Sequence, residues 1–288
     1  MPKPRKTIED KIDLSQKIFT NLYDEYLKTE KRLYFKGCII GPPKSGKTSS
    51  IVTAPKPILV LNFDPTGLQA IDHYLRDPES RIYVKDFSGD TPWSAEQYPR
   101  FIKMFEDFEA EGTFDQFATV FIDSQTSLIE SQMAYIVNKA VRSGKPRVEG
   151  VQPAVQDFQQ QKLMMLNLLT RLFTLDCHVV IFGHEITVFD SENNVYNLIT
   201  IGSYGGKSLP ANLPTKFTEY YNTQVREVDR DQFEYSWITV KSSSRQYVGS
   251  SLARFDRKTG KRTTLPHKVP QNFRKLFKLL DLNWEDKE

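Results

Sequence analysis

The segment Leu33-Tyr34-Phe35-Lys36-Gly37-Cys38-Ile39-Ile40 runs straight into Gly41-Pro42-Pro43-Lys44-Ser45-Gly46-Lys47-Thr48. The first part has the composition of a compact buried strand. The second matches the pattern Gly-x-x-x-x-Gly-Lys-Thr at every fixed position. A short helix follows, and it must stop near Thr53 because Pro55 and Pro57 come next. Strand, glycine loop and helix together form the context in which such a loop holds phosphate. Its glycines let backbone N–H groups converge on phosphate oxygens with no Cβ in the way, and the new helix adds its positive end. The expected cradle is Gly41, Pro42, Pro43, Lys44, Ser45, Gly46, Lys47, Thr48 and Ser49. Lys47 is expected to neutralise the β- and γ-phosphates of ATP, and the Thr48 hydroxyl to ligate Mg2+.

Downstream, strand and helix patterns alternate. Ile58 to Phe63 reads as a buried strand, followed by a turn at Pro65 to Gly67 and a helix to about Leu75. Arg81 to Asp86 fits a further short strand. Tyr98, Phe101, Phe105 and Phe108 share a helical face, and Phe117 to Ile122 returns to strand character. Ile129, Met133, Ile136 and Ala140 mark another helix. A polar loop from Ser143 to about Pro153 leads to a long helix burying Val155, Phe158, Met165, Leu169 and Leu172, then to a strand from His178 to His184. This alternation predicts an α/β fold, a mainly parallel sheet flanked by helices. Beyond Glu185 come a glycine-rich loop, Gly202 to Gly206, and strand-like segments at Phe217 to Val225, Phe233 to Val240 and Ser251 to Phe255, expected as added antiparallel strands. A short helix is expected near Gln271 to Leu280.

A chain of 288 residues fits one sizeable core with short additions. The expected organisation is an N-terminal amphipathic helix within 1–31, a core over 32–256, and a basic C-terminal tail with a short helix over 257–288. Apolar residues at 39% and charged residues at 26% suit a folded protein rather than long disorder. No apolar run approaches the roughly 20 residues that cross a bilayer, and polar residues stand where a signal peptide needs its apolar stretch. The expected location is the cytoplasm. Cys38 and Cys177 sit beside strand residues, where free cysteine behaves as a small hydrophobe. Charge is uneven. Arg254 to Lys278 carries nine Lys or Arg against Asp256 alone, an excess of eight in a chain of net +3, which leaves −5 for the remainder. That stretch suits either a solvated basic surface or contact with phosphates.

Asp123 ends the apolar strand Thr119-Val120-Phe121-Ile122, which places a carboxylate at the rim of the core where a phosphate-bound Mg2+ needs a partner. Ser124 follows it instead of glutamate, so a water-activating base must come from elsewhere. Asp64 is the candidate, because a carboxylate just past the Ile58 to Phe63 strand faces the γ-phosphate if that strand neighbours the phosphate-loop strand. Asp64-Pro65-Thr66-Gly67 is also made of turn-forming residues, and the two roles are compatible. His184 ends the next strand, where a polar side chain can sense the γ-phosphate; a lone histidine is as readily a satisfied surface or core residue.

With these residues assembled, the chain resembles the RecA and KaiC superfamily, and more closely the small phage-type RecA-like ATPases of single-strand annealing and recombination. The resemblance rests on Gly41 to Thr48, Leu61 to Gly67, Val120 to Ser124, Val179 to Glu185, and Gly206 to Pro210 with Leu213-Pro214, spread over residues 33 to 250. It implies a RecA-like P-loop core, ATP-dependent assembly on single-stranded DNA, nucleotide held between neighbouring subunits of a homo-oligomer, and a single-strand binding protein as a further candidate partner. It also implies two DNA-facing loops, by position Ser143 to Pro153 with Lys145 and Arg147, and Thr187 to Leu213 with Lys207, segments that are otherwise ordinary exposed loops. Lys241 and Arg245, in a serine-rich turn, occupy a position resembling the one from which RecA-like proteins reach the next subunit's nucleotide; as exposed cations they also suit solvent. Two features depart from the pattern. Asp64 stands where such enzymes carry glutamate, and no clear Phe-x-x-Ala assembly motif is present. A helicase-loading or DNA-packaging ATPase, or a nucleotide-binding scaffold with little turnover, are the competing expectations.

Overall fold

Strands buried on both faces need apolar residues at nearly every position, and this chain supplies them in short runs. The computed structural model describes residues 16, 17, 19–21, 33–144, 152–189, 195–200, 213–242, 245, 247–251 and 265–287. The chain divides into two units, residues 1–33 and 34–288. Of the first, residues 16, 17 and 19–21 are helical; the rest of the helix expected within 1–31 lies outside the described residues.

The second unit is built on a ten-stranded sheet. In chain order its elements are β1 (Lys36–Gly41), α1 (Lys47–Ser50), β2 (Ile58–Asn62), α2 (Asp72–Leu75), β3 (Ile82–Asp86), α3 (Gln97–Ala110), β4 (Thr119–Asp123), α4 (Gln125–Arg142), α5 (Val155–Thr174), β5 (His178–Phe189), β6 (Val195–Thr200), β7 (Glu219–Asp229), β8 (Gln232–Ile238), β9 (Gly249–Ser250), β10 (Lys268–Pro270) and α6 (Phe273–Leu280). The sheet runs β10-β8-β7-β1-β5-β4-β2-β3, with β6 on β5 and β9 on β7. Every pairing from β7 across to β3 is parallel.

Alternate residues of the central strands feed two separate cores, as the period of a strand requires. Cys38, Ile40, Leu59, Leu61, Val120, Ile122, Val179 and Ile181 pack with Phe101, Phe105, Leu128, Ile129, Met165 and Leu169 of α3, α4 and α5. Ile39, Val60, Phe121, Val180 and Phe182 pack on the opposite side with Trp237 and with Phe273, Leu276, Phe277 and Leu280 of α6. Both cysteines are buried free thiols.

Three expectations require correction. The segment beyond residue 257 is not a tail: β10 pairs with β8, and Phe273, Leu276 and Phe277 are fully buried, so α6 supplies one side of the core while its basic residues face outward. Of the strands expected as antiparallel additions, β7 pairs antiparallel with β8 and β9 but parallel with β1. The strand expected to end at His184 continues to Phe189 and pairs antiparallel with β6, so residues 187–189 and 195–200 are strand.

His178 fastens the second core to the C-terminal segment. Its Nδ1 accepts the Phe35 N–H at 3.0 Å, its Nε2 donates to the Asn283 carbonyl at 2.7 Å, and its ring stacks on Phe277 with centroids 4.3 Å apart. Only the neutral ring supplies one acceptor and one donor. Burial lowers its pKa from 6.5 to about 3. The unfolded chain therefore takes up this proton at a higher pH than the native one. The stabilisation is complete above the unfolded value and is lost as pH falls through that window. Denaturant unfolding followed from about pH 7 to about pH 4.5 should show a decline steeper than in His178→Gln by roughly 1 kcal/mol per pH unit. Equal slopes would remove His178 from this role.

Candidate phosphate and ATPase site

The loop after β1 is shaped by close approaches from distant strands. A Cβ on Gly41 would stand 1.7 Å from Thr223 Oγ1 of β7, and one on Gly46, where φ is +84°, would stand 2.6 Å from Gln271 Oε1. Glycine is required at both positions. Ser45 Oγ donates to the Pro42 carbonyl at 2.7 Å and accepts from Thr223 Oγ1 at 2.8 Å, while Gln271 Nε2 donates to the Ser45 carbonyl at 2.9 Å. Lys47 is buried inside this frame, its Nζ donating to the carbonyls of Gly41 and Pro42 at 2.8 Å each. Burial lowers its pKa to about 8, against the opposing fields of Asp123, Glu185 and Asp64.

Asp123 lies at the floor of the same cavity, which has a volume of about 930 Å3. Burial raises its pKa to about 6, with Asp64 pushing the same way and with Thr48 and Lys47 opposing. Thr48 Oγ1 donates to Asp123 Oδ2 at 2.7 Å, so a hydroxyl and a carboxylate stand together beside the buried lysine. Two hard oxygen donors facing an open cavity fit a Mg2+ ion that takes its remaining ligands from water and phosphate. Thr48 and Asp123 would hold it, and bound there Mg2+ supplies neutralising charge to phosphate oxygens. Among the described residues no cluster of three or more His, Cys, Asp or Glu forms a metal site.

Pro43, Lys44, Ser45, Gly46, Lys47, Thr48 and Ser49 line this cavity together with Asp64 and His184, while Gly41 and Pro42 supply the carbonyls that hold Lys47. Asp64 arrives by a different route from the expected one. β2 does not neighbour β1, because β5 and β4 stand between them. Asp64 reaches the cavity because the chain bends after β2, with the Phe63 and Asp64 N–H groups on the Asp123 carbonyl at 2.7 and 3.3 Å. Its Oδ1 accepts from the Thr66 N–H and hydroxyl at 2.9 and 3.0 Å. The residue forms the turn and faces the cavity at once.

β5 lies between β1 and β4, and Gly41 is the register partner of His184. The His184 N–H donates to Thr126 Oγ1 at 3.1 Å, while its Nδ1 is buried without a hydrogen-bond partner. Burial and then Lys47 lower its pKa, keeping the ring neutral. Beside it, Glu185 accepts from Asn222 Nδ2 at 2.6 Å, and its pKa is raised by burial. Arg245, half-buried, acts electrostatically on Glu185 of its own chain. Lys241 is exposed and lines a different pocket, with Phe217 and Tyr247. The structure thus brings neither Lys241 nor Arg245 into this chain's phosphate cavity. Lys145, Arg147 and Lys207 lie outside the described residues. Sequence patterns do not reveal Thr223, Tyr235, Asn222 or Gln271, which reach the site across long sequence separations.

The fold and this site define a P-loop ATPase domain: a mainly parallel sheet flanked by helices, with antiparallel strands added at the C-terminal side and the phosphate loop at the end of β1. A family model described as an AAA domain matches residues 34–275, and the chain belongs to that family. No curated protein matches the chain. Similar solved structures include an ATPase from the type III secretion system of pathogenic bacteria, at 14% identity and TM-score 0.39, covering 65% of this chain and 50% of that one. This chain thus spans about half the length of that ATPase. Another is a KaiC-like protein from the hyperthermophilic archaeon Pyrococcus horikoshii OT3, at 10% identity and TM-score 0.40, with coverage of 81% and 83%. No described helix is long and apolar enough to cross a membrane.

Proposed function

We propose that this ATPase hydrolyses Mg2+-bound ATP in the cavity of Lys47, Thr48 and Asp123 and couples the reaction to single-stranded DNA in recombination, annealing or repair. The observation that carries the coupling is the course of β5. The strand that presents His184 at the phosphate cavity continues to Phe189 and pairs with β6, with a register shift between Thr187 and Phe189. A change at the phosphate end therefore has a direct covalent path toward the segment that contains Lys207. In this reading Lys207, with Lys145 and Arg147, contacts DNA phosphates, which sets affinity without reading sequence. The protein assembles as a homo-oligomer on the strand, with the exposed Lys241 better placed than Arg245 to reach a neighbouring subunit.

The test is the ATPase rate with and without oligo(dT), with assembly followed by sedimentation in the same samples. Stimulation by the oligonucleotide is expected, with DNA affinity falling steeply as salt rises. The triple variant Lys145→Ala, Arg147→Ala, Lys207→Ala should lose about 2 units from the slope of log affinity against log salt, about 0.7 for each single-strand phosphate contact. An unstimulated rate with salt-independent or absent DNA binding would overturn the DNA reading and favour a loader or a scaffold.

A further inference from the structure

The phosphate cavity extends well beyond what a triphosphate and a cation require. One end carries Asp64, Thr66, Gly67, Gln69 and Ala70; the other opens past Gly46, Ser49 and Ser50 toward Tyr235 and Gln271. Tyr235 is the one phenol, phenyl or indole side chain among the described lining residues. It stands beside the loop itself, since a Cβ on Gly46 would lie 2.8 Å from Tyr235 Cδ1. Two residues further along β8, Trp237 is fully buried in the second core, whereas Tyr235 remains 42% exposed. Its exposed face is therefore not consumed by packing. Its backbone is fixed from both sides: it pairs in register with Val225 of β7, and its carbonyl accepts the Gln271 N–H at 3.3 Å. The Gln271 amide in turn donates to the Ser45 and Ser236 carbonyls, tying β8 to the phosphate loop. No carboxylate lines this end, so an uncharged flat group is the complement it presents.

We propose that Tyr235 is the platform on which the purine base of the bound nucleotide stacks, with Gln271 as the positioning residue that holds the ring at a fixed height above Gly46. The inference rests on the nucleotide-binding reading of the cavity and extends it to the base. An amphipathic ring held by a strand, not a mobile loop, offers its face at low entropic cost, and stacking accepts either purine because both present a π-face.

The test compares Mg2+-ATP with Mg2+-tripolyphosphate by titration calorimetry, since the second ligand has the phosphates and no base. Tyr235→Ala should weaken ATP about 5- to 150-fold, the range expected for losing one base stack, and leave tripolyphosphate unchanged. Tyr235→Phe should bind both as the parent does. An alanine variant that keeps parental ATP affinity, or that loses ATP and tripolyphosphate equally, overturns the inference. A parent protein that binds neither ligand overturns the phosphate-site reading itself, and the inference with it.

Discussion

Replacing Lys47 with alanine is expected to lower ATP turnover by at least about a thousandfold, the scale on which removing a transition-state charge contact acts. Lys47 Nζ is the cation fixed at the centre of the loop, held by the carbonyls of Gly41 and Pro42 and buried by the surrounding frame. A positive charge already stripped of water acts on phosphate oxygens far more strongly than a solvated one. The same burial lowers its pKa, so the native chain sustains this charge at a cost. Alanine removes that cost along with the hydrogen bonds to the Gly41 and Pro42 carbonyls and to Ser45 Oγ, and the net change in fold stability should be small. Steady-state turnover and thermal unfolding of the same preparation separate the two effects. Parental turnover would show that phosphate is bound elsewhere, and collapse of the fold would make Lys47 a structural residue.

The second large effect is expected at Asp64. Asparagine retains the Oδ1 acceptor that takes the Thr66 N–H and hydroxyl, so the turn after β2 should survive the change. What disappears is the negative charge and the ability to take a proton from water. Turnover is expected to fall about a hundredfold or more while ATP affinity is retained, as for loss of a positioned general base. A further consequence follows at Asp123. Asp64 contributes to raising the Asp123 pKa, so its neutralisation should move that pKa down and leave the Mg2+ ligand more fully ionised near neutral pH. Equal turnover in parent and Asp64→Asn would leave the residue with its turn alone.

The parts of the molecule that could be read from sequence are those in which local pattern and burial coincide. β4 is buried along its whole length, so Thr119 to Ile122 shows as an uninterrupted apolar-compatible run, and Asp123 marks the point where the sheet meets the cavity. The phosphate loop is legible for a similar reason, because its glycines are forced by contacts too close for any side chain. The C-terminal helix is legible as a helix, but composition masks its place in the core. Arg274, Lys275 and Lys278 suggest a solvated tail when counted together, yet Phe273, Leu276, Phe277 and Leu280 form a stripe at helical spacing that the second core requires. Asp64 lines the cavity although β5 and β4 separate β2 from β1, because the bend at Phe63 and Asp64 makes up the distance. Thr223, Tyr235 and Gln271 carry no motif. Their proximity to the loop depends on the order of strands in the sheet, which a local pattern does not encode.

The bond from the Gln271 amide to the Ser45 carbonyl spans 226 positions of the sequence. During synthesis the phosphate loop emerges early, but the strand and glutamine that brace it are translated much later. A nascent chain extending only through β5 has Lys47, Thr48 and Asp123 in hand and lacks Thr223, Tyr235 and Gln271 beside them. A chain cut short before β7 would therefore carry the phosphate motif without the Thr223 and Gln271 contacts that brace Ser45.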